Sequence, residues 1–325
     1  MTGGAGYIGS HAVRELQEAG HAVTVVDDLS KGFRAAIPAG ARFVQGDLGD
    51  SGILDDAMNG VEAVLHFAGL LSVAESVREP APYYRTNVAK GIALLDGMKR
   101  ADVSKIIFSS TCATYGMPIR VPMDETHPQD PINPYGASKR AFERVLVDYG
   151  NAGLVRAVAL RYFNAAGCHP DGTMGEDHRP EEHLIPLAID AALGRRPALM
   201  IHGDDYETPD GTCIRDYIHV RDLAVAHVLA LAALEGGASF KAYNLGTETG
   251  QSVRQVVSAV ERVSGRPLLA TVGPRRAGDP PRLVASAARA REELGFRPAH
   301  SDLEGIVEDA LRWRKDHLEG YGPRP

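Results

Sequence analysis

The chain has 325 residues, 44% of them hydrophobic and 24% charged, and no apolar run approaches the length of a membrane-spanning helix, so the composition is that of a soluble globular protein of one or two domains. The net charge of −7, with no block of lysine or arginine, supplies no basic footprint for gripping a nucleic-acid backbone. Cys112, Cys168 and Cys213 form no Cys-x-x-Cys pair, and glycines begin at Gly3 where a secretory signal needs a basic and then an apolar stretch; neither a disulfide framework nor a zinc knuckle is indicated, and a reducing cytoplasm is the expected compartment.

At the N-terminus, TGGAGYIG (Thr2 to Gly9) reads as a tight turn that lets backbone N–H groups approach a pyrophosphate at the start of a helix. Gly3-x-x-Gly6-x-x-Gly9 and Gly4-x-Gly6-x-x-Gly9 both fit, so spacing alone leaves the register open. The helix that follows spans Ile8 to Ala19 and closes at Gly20. Such a turn should follow a hydrophobic strand, yet only Met1 and Thr2 precede Gly3; the first strand is therefore expected to be truncated, through a GTG valine codon misread as the initiator.

Short β-branched runs come next at Ala22 to Asp27, Ala41 to Gln45, Ala63 to Phe67, Lys105 to Ser109 and Leu154 to Leu160. They alternate with helices such as Pro80 to Lys99, where proline opens the segment. This order predicts an α/β fold, a Rossmann-type doubly wound parallel sheet. Past Asn164 the loops lengthen, and Gly and Pro gather at His169 to Pro180 and Asp204 to Gly211. Residues 1–164 are read as the dinucleotide-binding domain and 165–325 as a smaller α/β substrate domain, with Ala242 to Leu245 a strand that returns to the main sheet.

Asp27 ends the strand after the glycine turn, about twenty residues on, where a carboxylate accepts hydrogen bonds from an adenosine ribose and repels a 2′-phosphate. NAD rather than NADP is the expected cofactor. Tyr135 and Lys139 stand four apart at the opening of a helix over Pro134 to Tyr149, so both share one face. A tyrosine titrates near ~10, and to act as a base at neutral pH it must be lowered by roughly three units, about 4 kcal/mol. The Lys139 ammonium and an oxidised nicotinamide ring are the two positive charges expected to favour phenolate. Thr111, ending the run Ser109-Ser110-Thr111, would hydrogen-bond the reacting hydroxyl and the phenolic oxygen.

TGGAGYIGSH, HFAGL, FSST, NPYGASK, LRYFNAAG, GEDH, DGTCIRDYIHVRDLA and YNLGT run along almost the whole chain, and together they resemble the UDP-glucose 4-epimerase family of the extended short-chain dehydrogenases/reductases. The resemblance implies an isomerase that interconverts UDP-galactose and UDP-glucose by transient oxidation at C4 with bound NAD, Tyr135, Lys139 and Thr111 being catalytic. It places Gly3, Gly6, Tyr7, Ile8, Gly9, Asp27, Asp28 and Ser30 around the phosphates and adenosine ribose, and Asp47 and Leu48 near adenine. Phe67, Ala68, Gly69, Thr86 and Phe163 would line the rest of the NAD site. Asn164, Leu184, Arg215, Arg276, Asp279 and Leu283 would meet the UDP-sugar with Thr111 and Tyr135, the arginines chiefly at the diphosphate. A homodimer pairing helices near Pro80 to Arg100 and Phe142 to Tyr149 is expected as well.

Against the family pattern, Leu71 stands where a lysine is usual near the nicotinamide ribose, His183 replaces an asparagine, and His202 a phenylalanine near the uracil. Leu283 occupies the position whose bulk decides whether an N-acetyl group fits, and its intermediate size favours plain hexoses. A 4,6-dehydratase needs acidic groups just after the strand-end threonine, where Cys112 and Ala113 stand. UDP-N-acetylglucosamine, UDP-pentose and UDP-uronate 4-epimerases share the same machinery and stay open, as does a noncatalytic NAD-sensing protein. The twelve histidines show no recognised zinc spacing, and no metal is expected.

Overall fold

Ile106 and Phe108 turn to one face of their strand and Ile107 to the other, and all three are fully buried. That pattern belongs to a strand covered on both sides, as in a doubly wound sheet. The computed structural model describes residues 1–276 and 278–323. Its first half runs α1 (Tyr7–Glu18), β1 (Thr24–Asp27), β2 (Arg42–Gln45), α2 (Ser51–Ala57), β3 (Val64–His66), α3 (Val73–Arg78), α4 (Pro80–Tyr84), α5 (Lys90–Arg100), β4 (Lys105–Thr111), α6 (Pro134–Asn151) and β5 (Arg156–Tyr162). Then come β6 (Asn164–Ala166), α7 (Leu184–Ala192), β7 (Leu199–His202), β8 (Ile214–Arg215), β9 (Tyr217–His219), α8 (Val220–Ala233) and β10 (Phe240–Leu245). The chain ends with β11 (Gln251–Ser252), α9 (Val253–Ser264), β12 (Ala270–Gly273), β13 (Arg282–Leu283), α10 (Ala288–Glu293) and α11 (Leu303–Asp316).

All pairings in the main sheet are parallel: β1 with β2, β3 with β4, β4 with β5, and β5 with the late strand β10. Met1 to Gly3 lie between β1 and β3. Thr2 bridges both Val26 and His66, its N–H donating to the Leu65 carbonyl at 2.9 Å, while the Gly3 N–H donates to Val26 at 2.9 Å. Where a truncated strand was expected, Thr2 forms a two-sided bridge between β1 and β3, and the chain reverses its direction of sheet growth there, the place where doubly wound folds bind ligands.

Helices α2, α5 and α6 cover one face of the sheet, with Leu54, Leu94, Met98, Phe142 and Leu146 buried beneath them. Helices α1, α8 and α10 cover the other. Phe142 and Leu146 therefore serve this core, leaving only the outer residues of α6 for any pairing with a second copy. A separate apolar core joins α7, α9 and α11. The expected helix over Pro80 to Lys99 is α4 and α5 joined by a π-helical turn, Arg85–Ala89. No described helix is long and apolar enough to cross a membrane.

A buried polar network ties α6, β5 and β10 together below the carboxyl edge of the sheet. Glu143 accepts from Arg161 Nε at 3.0 Å and Nη2 at 2.6 Å, and from Ser110 Oγ at 2.5 Å. Arg161 Nη1 donates to the Tyr115 hydroxyl at 3.0 Å, which donates to Asn244 Oδ1 at 2.6 Å. Breaking a buried pair leaves an uncompensated charge, whereas removing both partners is far milder. Arg161→Leu should therefore lower unfolding free energy by about 3–5 kcal/mol, and Glu143→Leu added to it should recover most of that loss in denaturant titrations; an additive double variant would contradict the pairing.

Candidate active site

The glycine turn is dictated by close backbone approach. Gly3 has φ +71°, and a Cβ there would stand 2.4 Å from the Ala68 nitrogen, so only glycine is accommodated. A Cβ on Gly9 would stand 2.1 Å from the Gly3 carbonyl oxygen, while one on Gly4 would meet the Val25 side chain at 2.8 Å. Gly6 differs: its bare face meets only Gly3 O, at 3.4 Å. Gly3 and Gly9 pack on each other, which resolves the register as Gly3-x-x-Gly6-x-x-Gly9, and Gly6 presents the open face. Helix α1 then begins with Gly6 as N-cap and no side-chain cap, the form of helix start that receives a phosphate.

Asp27 comes to this turn from the end of β1. Its Oδ2 accepts from the Ala5 N–H at 3.0 Å and its Oδ1 from the Leu29 N–H at 2.9 Å. Burial holds its carboxyl above the ordinary value, partly offset by those two backbone donors. Beside it, Asp28 Oδ1 accepts from the Ser30 N–H at 2.9 Å and its hydroxyl at 2.5 Å. Asp47 pairs with Lys90 at 2.5 Å, and Leu48 is buried among core residues. Tyr7 turns its side chain away: its hydroxyl donates to the Gly167 carbonyl at 2.6 Å, so its backbone is what the turn presents. These features fit a dinucleotide, the bare Gly6 face taking phosphate and the strand-end carboxylate taking ribose.

Phe67, Ala68 and Gly69 connect this turn to α6. Ala68 abuts Gly3, and a Cβ on Gly69 would stand 2.9 Å from Asn87 Oδ1 and 3.5 Å from Lys139 Nζ. Asn87 belongs to the π-helical turn, next to Thr86. It accepts from the Leu70 N–H at 2.8 Å and donates to the Leu70 carbonyl and to Ser138 Oγ, both at 3.0 Å. The sequence reading missed Asn87; an asparagine inside an expected helix, where that residue is disfavoured, was the available signal. Leu71, just beyond, is exposed.

Asn133 caps α6 by accepting from the Gly136 N–H at 2.9 Å, and Pro134 holds the first helical position. This cap-and-proline start fixes where the helix begins and hence where Tyr135 and Lys139 point. Lys139 is buried, donates to the Ser109 carbonyl at 2.9 Å, and lies 4.8 Å above the Phe108 ring. Burial lowers its amine to about 8, opposed by Glu143; it is charged at neutral pH and neutral above that value. Burial likewise pushes the Tyr135 phenol above its ordinary value, with a hydrogen bond from Thr111 pulling the other way. Burial, rather than the lysine charge expected to lower it, is the largest influence on the Tyr135 phenol. Thr111 also caps a short 3₁₀ turn, accepting from the Ala113 N–H at 3.2 Å.

Of the residues expected to meet the nucleotide sugar, Arg215, Asp279 and Leu283 lie together at β8 and β13. Arg215 lies beside Leu283 in strand register, donating to Asp279 at 2.9 Å and to the Pro280 carbonyl at 2.9 Å. Asp216, also missed, is fully buried; its carboxylate accepts from Thr247, Glu248 and Ala285. The Asp216 carbonyl accepts from both the N–H and Nδ2 of Asn164 at 3.0 Å. Leu283 packs against a buried cluster of Tyr115, Met123, Phe163 and Ala285, against which Cys112, next to Thr111, packs as well. Arg276 is exposed, its charge acting with burial to lower His202. Leu184 opens α7, and its loop reaches Tyr135 indirectly: Ser72 donates to Glu182 at 2.8 Å, Tyr83 donates to the Ser72 carbonyl at 2.6 Å, and the Tyr83 and Tyr135 rings meet edge-on at 6.5 Å.

The NAD dependent epimerase/dehydratase family matches residues 1–246. UDP-glucose 4-epimerase of Azospirillum brasilense is 52% identical over 324 residues, 99% of this chain and 93% of that one. Among solved structures, UDP-glucose 4-epimerase from Brucella ovis in complex with NAD is 49% identical with a TM-score of 0.93, covering 96% of this chain and 97% of that one. UDP-glucose 4-epimerase from Bifidobacterium longum in complex with NAD+ and UDP is 37% identical with a TM-score of 0.92, covering 98% of both chains.

A carboxylate hydrogen-bonded to a ribose contributes about 1.5–3 kcal/mol. Asp27→Ala should therefore weaken NAD binding roughly tenfold to hundredfold, and NADP binding much less, in calorimetric titrations; an unchanged preference for NAD would count against Asp27 as the ribose ligand.

Proposed function

Because the chain belongs to the NAD-dependent epimerase/dehydratase family, we propose that it is the isomerase its residues describe, an NAD-dependent enzyme that interconverts UDP-galactose and UDP-glucose by inverting C4 of the sugar. One observation carries the reading: Tyr135 and Lys139 lie on one face of α6, Lys139 held by the Ser109 carbonyl and within reach of Gly69, which the same segment joins to the glycine turn. Its three cysteines are free, in keeping with a reducing cytoplasm.

Bound NAD supplies the hydride acceptor, and later the hydride donor, at C4. Tyr135 removes the proton from the C4 hydroxyl in the first half of the cycle and returns it in the second, so the residue ends as it began. Thr111 hydrogen-bonds the phenolic oxygen and orients the hydroxyl. Lys139 keeps a positive charge under this corner and fixes α6 against β4. Arg215 and Arg276 hold the diphosphate, so that the uncharged sugar turns over between half-reactions while the nucleotide stays in place. Asn164 is aimed by Asp216, and Asp279 steadies the Arg215 guanidinium.

The expected outcome with the purified protein is conversion of UDP-galactose to UDP-glucose, NAD being added if it has been lost. Tyr135→Phe should lower kcat by roughly 10²–10⁴-fold with the thermal midpoint unchanged. Full activity in that variant would overturn the acid–base assignment.

Leu283 is half-buried against the cluster that contains Tyr115 and Phe163, and its intermediate size favours plain hexoses over N-acetylated ones. Leu283→Gly should raise kcat/KM for UDP-N-acetylglucosamine and Leu283→Tyr should abolish it, with UDP-glucose turnover altered much less. Equal effects on the two substrates would show that the gate lies elsewhere.

A further inference from the structure

Away from the reacting tyrosine, four side chains converge on one point in the loop that leads into α7. Glu176, His178, Glu181 and His183 each offer one ligand-type atom, and these atoms all lie within 4.8 Å of one another. His178 Nδ1 is 2.9 Å from Glu176 Oε1 and 3.8 Å from Glu181 Oε1. His183 Nδ1 meets the same Glu176 oxygen and lies 3.9 Å from Glu181 Oε1. The spacing Glu-x-His-x-x-Glu-x-His is none of the familiar zinc patterns, which is why the histidines carried no metal expectation from sequence.

A second observation points to an occupant. The Glu181 side chain is only 9% exposed; its Oε1 accepts from the Glu182 and His183 N–H groups at 2.9 and 3.0 Å, while its Oε2 is buried without any hydrogen-bond partner. Leaving a carboxylate oxygen out of water and without a donor is unfavourable. A cluster of two protonated histidines and two glutamates accounts for the contacts to Glu176 Oε1. It leaves Glu181 Oε2 unmet, however, and it aims two imidazolium N–H groups at a single oxygen. A divalent cation at the common centre resolves both features, with neutral imidazoles as ligands.

We propose that His178 Nδ1, His183 Nδ1 and carboxylate oxygens of Glu176 and Glu181 bind one divalent transition-metal ion, zinc by preference. Two imidazole nitrogens select against magnesium and calcium, which take oxygen ligands. Tetrahedral zinc with bonds of about 2.0–2.2 Å places its ligands about 3.4 Å apart, so the cluster closes on an ion with movements of about 1 Å. Four protein ligands fill the coordination shell, which makes the site structural. The surrounding contacts show what it would hold together. The His178 ring meets the Tyr7 ring edge-on at 6.1 Å, at the first residue of α1, and His183 is the N-cap of α7. The ion staples the loop between the helix of the glycine turn and the helix that begins at Leu184.

The test is the metal content of untagged protein, measured by plasma mass spectrometry after incubation with zinc chloride and gel filtration. About one zinc per chain is expected in the wild type, and close to none in Glu176→Gln or in the His178→Ala/His183→Ala double variant. Dipicolinate should lower the thermal midpoint of the wild type and leave the variants unchanged. A wild-type chain that emerges with less than about a tenth of an equivalent, or a double variant that keeps a full one, would overturn the proposal. Metal content is read without reference to turnover, so its failure is distinct from any failure of the epimerase reading.

Discussion

The amine of Lys139, buried and donating to the Ser109 carbonyl, makes the contact on which the arrangement of the site depends. It joins α6 to the carboxyl end of β4 and so sets the distance between Tyr135 on the helix and Thr111 on the strand. It also lies close to Gly69, whose neighbour Ala68 leaves room only for a glycine at position 3. Helix, strand and glycine turn thus share one corner. The Glu143–Arg161 pair beneath it holds the same helix to β5.

Burial is what this corner imposes on its own chemistry. Desolvation opposes the charged form of each group it encloses: the lysine is lowered and the tyrosine raised. A raised phenol is a poor base, and a lysine committed to a carbonyl does not offset that. The positive charge of an oxidised nicotinamide nearby would act against that burial. Under the proposed function, a bound NAD would favour the phenolate of Tyr135, and proton removal would be expected of the loaded enzyme.

Much of this was legible in the sequence because it rests on local rules. Asn133-Pro134 marks a helix start, and the i, i+4 spacing puts Tyr135 and Lys139 on one face. The β-branched runs located the sheet strands to within a few residues, and Ala242 to Leu245 does return to the main sheet as expected. The unread parts owe their roles to partners far along the chain. Asn87 acts on Leu70 and Ser138; Asp216 gathers Asn164, Thr247, Glu248 and Ala285. The π-helical turn at Arg85–Ala89 broke what periodicity read as a single helix. The glycine register stayed ambiguous in sequence because only the contact between Gly3 and Gly9 decides it.

The ionisation of Tyr135, followed by ultraviolet difference absorbance in the presence and absence of saturating NAD with Tyr135→Phe as the blank, tests the coupling of burial and cofactor charge most directly. The phenol should remain protonated above its ordinary value of about 10 in the free protein and titrate near neutrality when NAD is bound. A midpoint that is the same in both states would contradict it.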